Sequence, residues 1–182
     1  MRTYPVHTIA SAPEGSKPAL EQLKKAFGVL PNLSAVIANS PKLINSLVGL
    51  FGQVHSPGLS EAENQIVLLT DAVTNSSTYA VAFHTALALQ QGISAEEITA
   101  IRERRVPTNK RFAALSILAK TLIEKRGHLR EQEIDSFIGA GFTKEQVLEV
   151  IAIVAASTIT NYSGTIMNPP LEDPFRQHAW QG

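Results

Sequence analysis

Apolar side chains recur along this chain at intervals of three and four residues, the spacing that places them on one face of an α-helix. No segment alternates polar and apolar residues over the length of a β-strand. Serine, threonine or asparagine precedes many apolar segments, as at helix starts. The pattern predicts an all-α fold, a compact bundle of about eight to nine helices. The predicted helices span about 17–27, 32–39, 40–54, 60–75, 77–91, 94–106, 108–125, 130–140 and 143–166.

The chain divides into three parts by periodicity and proline content. Residues 1–16 show no helical period and contain prolines, which predicts an extended arm. Residues 17–166 form a single helical domain, because 182 residues suit one domain with one core. Residues 167–182 are rich in proline and predict an extended tail.

Two helices are expected at the centre of the fold. The first follows a capping box, in which the Ser60 hydroxyl accepts from a first-turn N–H and Glu63 reaches back to Ser60. This helix, Ser60–Asn75, is apolar on most of its circumference. A helix without a wide polar face belongs in the interior. We therefore expect it to form the centre together with the next helix, Ser77–Gln91.

A short internal similarity relates residues 91–98 to residues 140–147, since both contain a glycine helix stop, an apolar residue and a capping box. Any two helix–turn–helix joints can look alike in this way, and a duplicated helical hairpin would give the same pattern. Under duplication, Glu149 would correspond to the position of Gln65. Otherwise Glu149 is an exposed glutamate on a helix surface.

Charge and hydropathy narrow the classes of partner. Sixteen basic residues balance sixteen acidic ones, and the densest basic run, Arg102 to Arg105, is interrupted by Glu103 and is interpreted as a solvated helix end. We expect no nucleic-acid partner, because such affinity needs clustered positive charge. The longest apolar run, Val150 to Ala156, is too short to span a bilayer, and the N-terminus lacks a signal-peptide stretch. No membrane partner is expected, and the expected location is cytoplasmic.

The chain contains no cysteine. Disulfides, thiolate metal sites and cysteine nucleophiles are therefore excluded. No metal and no other cofactor is expected.

The segment from Leu59-Ser60 through the helix that begins at Ser77 resembles the carboxymuconolactone decarboxylase superfamily, in its alkyl hydroperoxidase D-like, peroxidase-related branch. The core of this resemblance covers about residues 59–105. Further similar segments are Gly28-Val29-Leu30-Pro31-Asn32, Asn39-Ser40-Pro41, Thr160-Asn161-Tyr162 and Pro170-Leu171.

The resemblance implies a site. Peroxidase members of this family have a glutamate, a Cys-x-x-Cys motif twelve residues later, and a histidine four residues beyond the second cysteine. In this sequence these positions are Gln65, Ser77, Ala80 and His84. Ala80 offers no nucleophile, and a serine cannot cycle through sulfenic acid and disulfide. Gln65 cannot carry a proton, so the family's proton relay is also interrupted.

The resemblance thus implies a family member without thiol peroxidase activity, which binds a small organic molecule or is inactive. The alternative is a non-redox lyase or isomerase of the decarboxylase type that uses His84 as acid and base. The candidate site comprises His84, Gln65 and Ser77, with Ala80, and Tyr79 and Asp71 as candidate binding residues. A buried histidine in an apolar helix can equally be a satisfied core residue.

Two further expectations follow. Asp71 interrupts an apolar run, so it lies either on a hydrated stripe of its helix or in the site as an acid.

The resemblance also implies a homo-oligomer, a dimer or trimer. The helix from Ser40 to Val54 carries more apolar residues than one core-facing stripe needs, so its outer face is either an interface or is covered by the arm or tail.

Overall fold

The computed structural model describes residues 4–182, and within that range the chain forms ten α-helices and no β-strand. The predicted all-α fold is therefore confirmed. A 3-10 turn at Glu14–Ser16 precedes the helices. The helices are α1 (Lys17–Phe27), α2 (Asn32–Ile37), α3 (Pro41–Val54), α4 (Glu61–Thr74), α5 (Thr78–Gln90), α6 (Ala95–Arg102), α7 (Lys110–Glu124), α8 (Glu131–Gly139), α9 (Lys144–Met167) and α10 (Asp173–Arg176).

Local capping explains several helix starts. Ser60 and Glu63 form the predicted capping box at the start of α4, and Thr143 and Gln146 form another at the start of α9. The predicted box at Ser94 is only half made, because Glu97 does not reach back. Its carboxylate instead accepts hydrogen bonds from the backbone and hydroxyl of Thr108, at 2.8 and 2.6 Å. Glu97 therefore fixes the turn that leads into α7.

Helices α4 and α5 form the centre of the fold, as predicted. Every residue of α4 from Glu63 to Val73 is buried, and the helix packs against α5, α6, α7 and α9. Helix α5 is buried from Tyr79 to Ala86. The larger apolar cluster surrounds α4, and a second cluster joins α1, α2 and α3 to the side of α5 that carries Phe83.

Helix α9 is long and apolar enough to cross a bilayer by length and composition alone, and 44% of its most apolar window is buried within the fold. Its inner face packs against α3, α4, α5 and α7. Its outer face carries four exposed apolar residues, Leu148, Ile151, Tyr162 and Ile166.

The arm and the tail both fold back onto the helices. The 3-10 turn lies against α3, where Asn45 Nδ2 donates to the Gly15 carbonyl at 2.8 Å. The tail lies on α6, where Arg102 donates to the carbonyls of His178 and Ala179. The sequence context of Arg102 predicted a solvated helix end. The prediction is wrong for this residue, because the tail covers part of its side chain. The tail also contains the short helix α10, so it is not extended throughout.

Candidate ligand pocket

A cavity of about 430 Å³ lies between α1, α3, α4 and α5. Its apolar lining includes Leu23, Phe27, Phe51, Phe83 and Leu87. The polar lining consists of four glutamines, two histidines and one glutamate, namely Gln22, Gln65, Gln90, Gln91, His55, His84 and Glu61. A mostly apolar cavity with a few polar groups is typical of a small-molecule site.

Gln65 and His84 are in direct contact at the floor of this cavity. They lie on successive helices, α4 and α5, and His84 Nδ1 is 3.0 Å from Gln65 Oε1. A carbonyl oxygen can only accept, so Nδ1 carries the proton and donates. Within residues 4–182, His84 Nε2 has no hydrogen-bond partner, and in this tautomer it is an acceptor.

His84 is a neutral base of low strength. It is 3% exposed, and burial, with a smaller contribution from His55, lowers its pKa from 6.5 to about 3. Burial disfavours the charged imidazolium because the surrounding groups cannot replace its hydration. His84 is therefore uncharged at neutral pH and can accept a hydrogen bond from a ligand.

A second polar pair lies on the same cavity. His55, at the end of α3, has its Nδ1 2.8 and 3.0 Å from the two carboxylate oxygens of Glu61 in the first turn of α4. These side chains are 33% and 43% exposed, so this pair is much closer to solvent than His84. Sequence reasoning did not include it. The available signal was that Glu61 and Gln65 lie one helical turn apart and therefore share a face of α4.

Ser77 and Ala80, the positions that the resemblance matches to the two cysteines, differ in their surroundings. Ala80 lines a small adjoining cavity of about 40 Å³ together with His84 and Tyr79. Ser77 lines neither cavity and is 1% exposed. It faces α9, where a Cβ added to Gly164 would lie 3.4 Å from Ser77 Oγ. The structure thus brings Gln65 and His84 together on the larger cavity but leaves Ser77 behind it.

Tyr79, a candidate binding residue, is an anchor for the tail. Its hydroxyl donates to the Glu172 carboxylate at 2.9 and 3.0 Å. Burial, followed by the nearby Glu172 charge, raises the Tyr79 pKa well above its usual range, so the hydroxyl remains a donor. Tyr79 does not line the 430 Å³ cavity.

Asp71 is fully buried, so it does not lie on a hydrated stripe of its helix. Burial raises its pKa from 3.8 to about 7, although Ser157 and Asn75 oppose the rise. Asn75 Nδ2 donates to Oδ1 at 2.8 Å, and Oδ2 lacks a hydrogen bond of good geometry within the part of the chain described. Asp71 does not line the 430 Å³ cavity either, so it cannot serve there as an acid.

Glu149 does not occupy the place of Gln65. Its carboxylate lies over Gly58, at a position that a Cβ on Gly58 would meet at 2.7 Å. It lines a different cavity of about 290 Å³, together with Asn64. Glu149 is half-buried there and is not a freely exposed surface residue.

Among residues 4–182, no group of three or more His, Cys, Asp or Glu side chains is arranged to hold a metal ion. The two histidines of the 430 Å³ cavity are instead committed to Gln65 and Glu61 through their Nδ1 atoms.

The chain is similar to a known family and to several solved structures. Residues 41–121 match the model of the carboxymuconolactone decarboxylase family. The fold is similar to an uncharacterized peroxidase-related protein with an alkylhydroperoxidase AhpD core from Ralstonia eutropha JMP134, with a TM-score of 0.82 and 18% identity over 94% of this chain and 93% of that one.

It is also similar to a variant of the debrominase Bmp8 in complex with 2,3,4-tribromopyrrole, with a TM-score of 0.81 and 17% identity over 98% and 96% of the two chains. A third similar structure is a peroxidase-related protein from Silicibacter sp. TM1040, with a TM-score of 0.77 and 15% identity over 94% and 91%. No curated protein matches the chain. Residues 41–121 of this cysteine-free chain are thus similar to the carboxymuconolactone decarboxylase family, and the chain has the alkyl hydroperoxidase D-like fold.

Proposed function

We propose that this protein binds a small, neutral and mostly apolar molecule in the 430 Å³ cavity and does not reduce peroxides. The observation that carries the proposal is His84, a buried and uncharged imidazole whose Nε2 accepts no hydrogen bond from the described residues. A buried, unpaired acceptor beside aromatic side chains favours a ligand with an N–H or O–H donor.

The ligand bound by one protein of similar fold supports this ligand class. The debrominase Bmp8, in a variant with one cysteine replaced by alanine, forms a complex with 2,3,4-tribromopyrrole. Such a pyrrole is small and apolar and has a single N–H donor. In this chain, aromatic side chains such as Phe27, Phe51 and Phe83 provide apolar surface beside His84 for a ring of this size.

The alternative, a lyase or isomerase with His84 as acid and base, is less favoured by the same residue. A general base is most effective when its pKa lies near the working pH. With a pKa of about 3, His84 is a weak base and holds no proton to donate from Nε2 at neutral pH. Any proton transfer in this cavity therefore needs a different group.

Titration calorimetry with 2,3,4-tribromopyrrole tests the binding proposal. We expect saturable binding to the wild type. The affinity of His84→Leu should be lower by about tenfold or more, because leucine is similar in size to histidine but has no acceptor. The N-methylated pyrrole should show a comparable loss with the wild type, because it has no donor. His128→Gln, an exposed histidine outside the cavity, is the matched control. The proposal would be contradicted if the wild type and His84→Leu bound both pyrroles with equal affinity.

A further inference from the structure

We infer that His55, oriented by Glu61, is the proton acceptor of this cavity and acts on a small carbon acid, such as an aromatic ketone, bound there. The inference rests on the proposed ligand pocket. It assigns to His55 the acid–base work that His84 and Gln65 do not provide.

His55 and Glu61 form an oriented pair. Both Glu61 oxygens lie within 3.0 Å of His55 Nδ1. Nδ1 therefore carries a proton and donates a hydrogen bond to the carboxylate. A carboxylate in this position fixes the tautomer and the ring orientation and stabilises the imidazolium once it forms. Nε2 then holds the free lone pair, and it accepts no hydrogen bond from the rest of the described chain.

The cavity contains few ionisable side chains. Apart from His84, His55 and Glu61 are its only lining residues with ionisable side chains, and the remaining lining residues on α1, α3, α4 and α5 are uncharged. His84 is buried and neutral, whereas the His55 side chain is 33% exposed and can exchange a proton with solvent. The two histidines therefore suit different roles, hydrogen bonding by His84 and proton transfer by His55.

The amide of Gln65 also suits this chemistry. Its Oε1 faces His84, which leaves Nε2 as a donor that has no partner among the residues described. An enolate oxygen would be repelled by a glutamate at this position but can accept a hydrogen bond from an amide. A glutamine here is thus compatible with negative charge that develops on a substrate oxygen.

The proposed step balances without a co-reactant. His55 Nε2 removes a proton from the carbon next to the carbonyl, the C–H electrons form a carbon–carbon double bond, and the carbonyl π electrons move to oxygen. The imidazolium then returns a proton to the carbon or to the oxygen. The net result is proton exchange or keto–enol interconversion, with nothing oxidised or reduced.

Deuterium exchange into 2-indanone, a small neutral aromatic ketone, tests the inference by proton NMR in D₂O. The wild type should accelerate exchange over buffer, and His55→Gln should lose about 10²-fold or more of that acceleration while binding 2-indanone with unchanged affinity. Glu61→Gln should lose about tenfold and shift the pH profile, because the carboxylate no longer supports the imidazolium. His128→Gln should match the wild type.

Two results would overturn the inference. One is exchange at the buffer rate with 2-indanone bound, and the other is exchange by His55→Gln at the wild-type rate with the wild-type pH profile. Absence of 2-indanone binding would also reject ketones as the substrate class. That outcome is distinct from a failure of the proposed function, which the tribromopyrrole titration tests separately.

Discussion

His84 Nδ1 and Gln65 Oε1 lie 3.0 Å apart at the contact between α5 and α4, and this hydrogen bond holds an imidazole that is almost completely buried. The folded protein resists protonation of this ring, since burial lowers the His84 pKa to about 3. The unfolded chain has no such resistance and takes up the proton near the ordinary value of 6.5.

Acid should therefore destabilise the fold through His84. The unfolded state binds the proton first, so stability present above about pH 6.5 is lost as the pH falls towards 3. We expect a contribution of about 2 kcal/mol to be lost near pH 5. In His84→Gln this part of the pH dependence should disappear in urea unfolding curves. An unchanged slope between pH 7 and pH 5 would show that His84 is solvated.

Asp71 should have the opposite dependence. Its pKa is raised from 3.8 to about 7, so between these values the folded state holds a proton that the unfolded state has released. Stability should thus fall as the pH rises through this window, by up to about 4 kcal/mol at neutral pH. Asp71→Asn should be more stable than the wild type at pH 7 and nearly equal below pH 4. Asp135→Asn, an exposed position, should change neither value.

The central position of α4 gives a direct packing test. Leu69 is fully buried in the larger apolar cluster, so Leu69→Ala should lower the free energy of unfolding by about 2–5 kcal/mol. Leu148→Ala, at a side chain that is 66% exposed, should cost less than about 0.5 kcal/mol. Similar losses in the two variants would mean that the assignment of inner and outer helix faces is wrong.

Self-association remains a prediction, and the structure changes where its interface is expected. Leu47 on α3 is buried within the chain, at 3% exposure, and the 3-10 turn packs on that helix. The outer face of α9 is the better candidate, because three of its four exposed apolar residues, Ile151, Tyr162 and Ile166, lie in the charge-free segment between Glu149 and Glu172. An uncharged apolar face is compatible with a second copy of itself.

We therefore expect light scattering to show a mass above 19.7 kDa for the wild type. Ile166→Glu should reduce it to the monomer, because the charge would have to be desolvated in the interface. Leu89→Glu, at an exposed apolar residue of α5, is the control and should leave the mass unchanged. A wild-type monomer would contradict the prediction outright.

Thiol peroxidase activity should be absent. A dithiol-coupled assay with cumene hydroperoxide is expected to give the rate without protein, since no residue can cycle through sulfenic acid. Ser77→Cys with Ala80→Cys should restore little, because Gln65 cannot relay a proton and residue 77 lies behind the cavity. Adding Gln65→Glu should raise the rate further. Saturable turnover by the wild type would refute this prediction.

Helix positions could be predicted from the sequence because they depend on local signals. Capping boxes, glycine stops and apolar periodicity gave α4, α5 and α9 to within a few residues. The centre of the fold was predictable for the same reason, since α4 has no polar face wide enough for solvent. The family resemblance singled out Gln65 and His84 on successive predicted helices, and the structure brings them into contact.

The features of the fold and of the site that could not be predicted depend on long-range contacts, which no local pattern encodes. Tyr79 is bound by Glu172, which lies 93 residues away in the tail, and Glu97 caps a turn beyond its own helix. The position of His55 beside Glu61 depends on how the loop between α3 and α4 folds. Asp71 looked like a solvated or catalytic acid because sequence alone does not show that α9 covers it.

The attachment of the tail has a practical consequence for unfolding experiments. Trp180 is the only tryptophan in the protein, and its indole N–H donates to the Arg102 carbonyl at 3.1 Å while the Arg104 guanidinium lies over its ring. Tryptophan emission therefore reports the docking of the last few residues on α6, whereas circular dichroism reports the helices. A fluorescence midpoint below the dichroism midpoint would mean that the tail detaches first, and fluorescence alone would then underestimate the stability of the core.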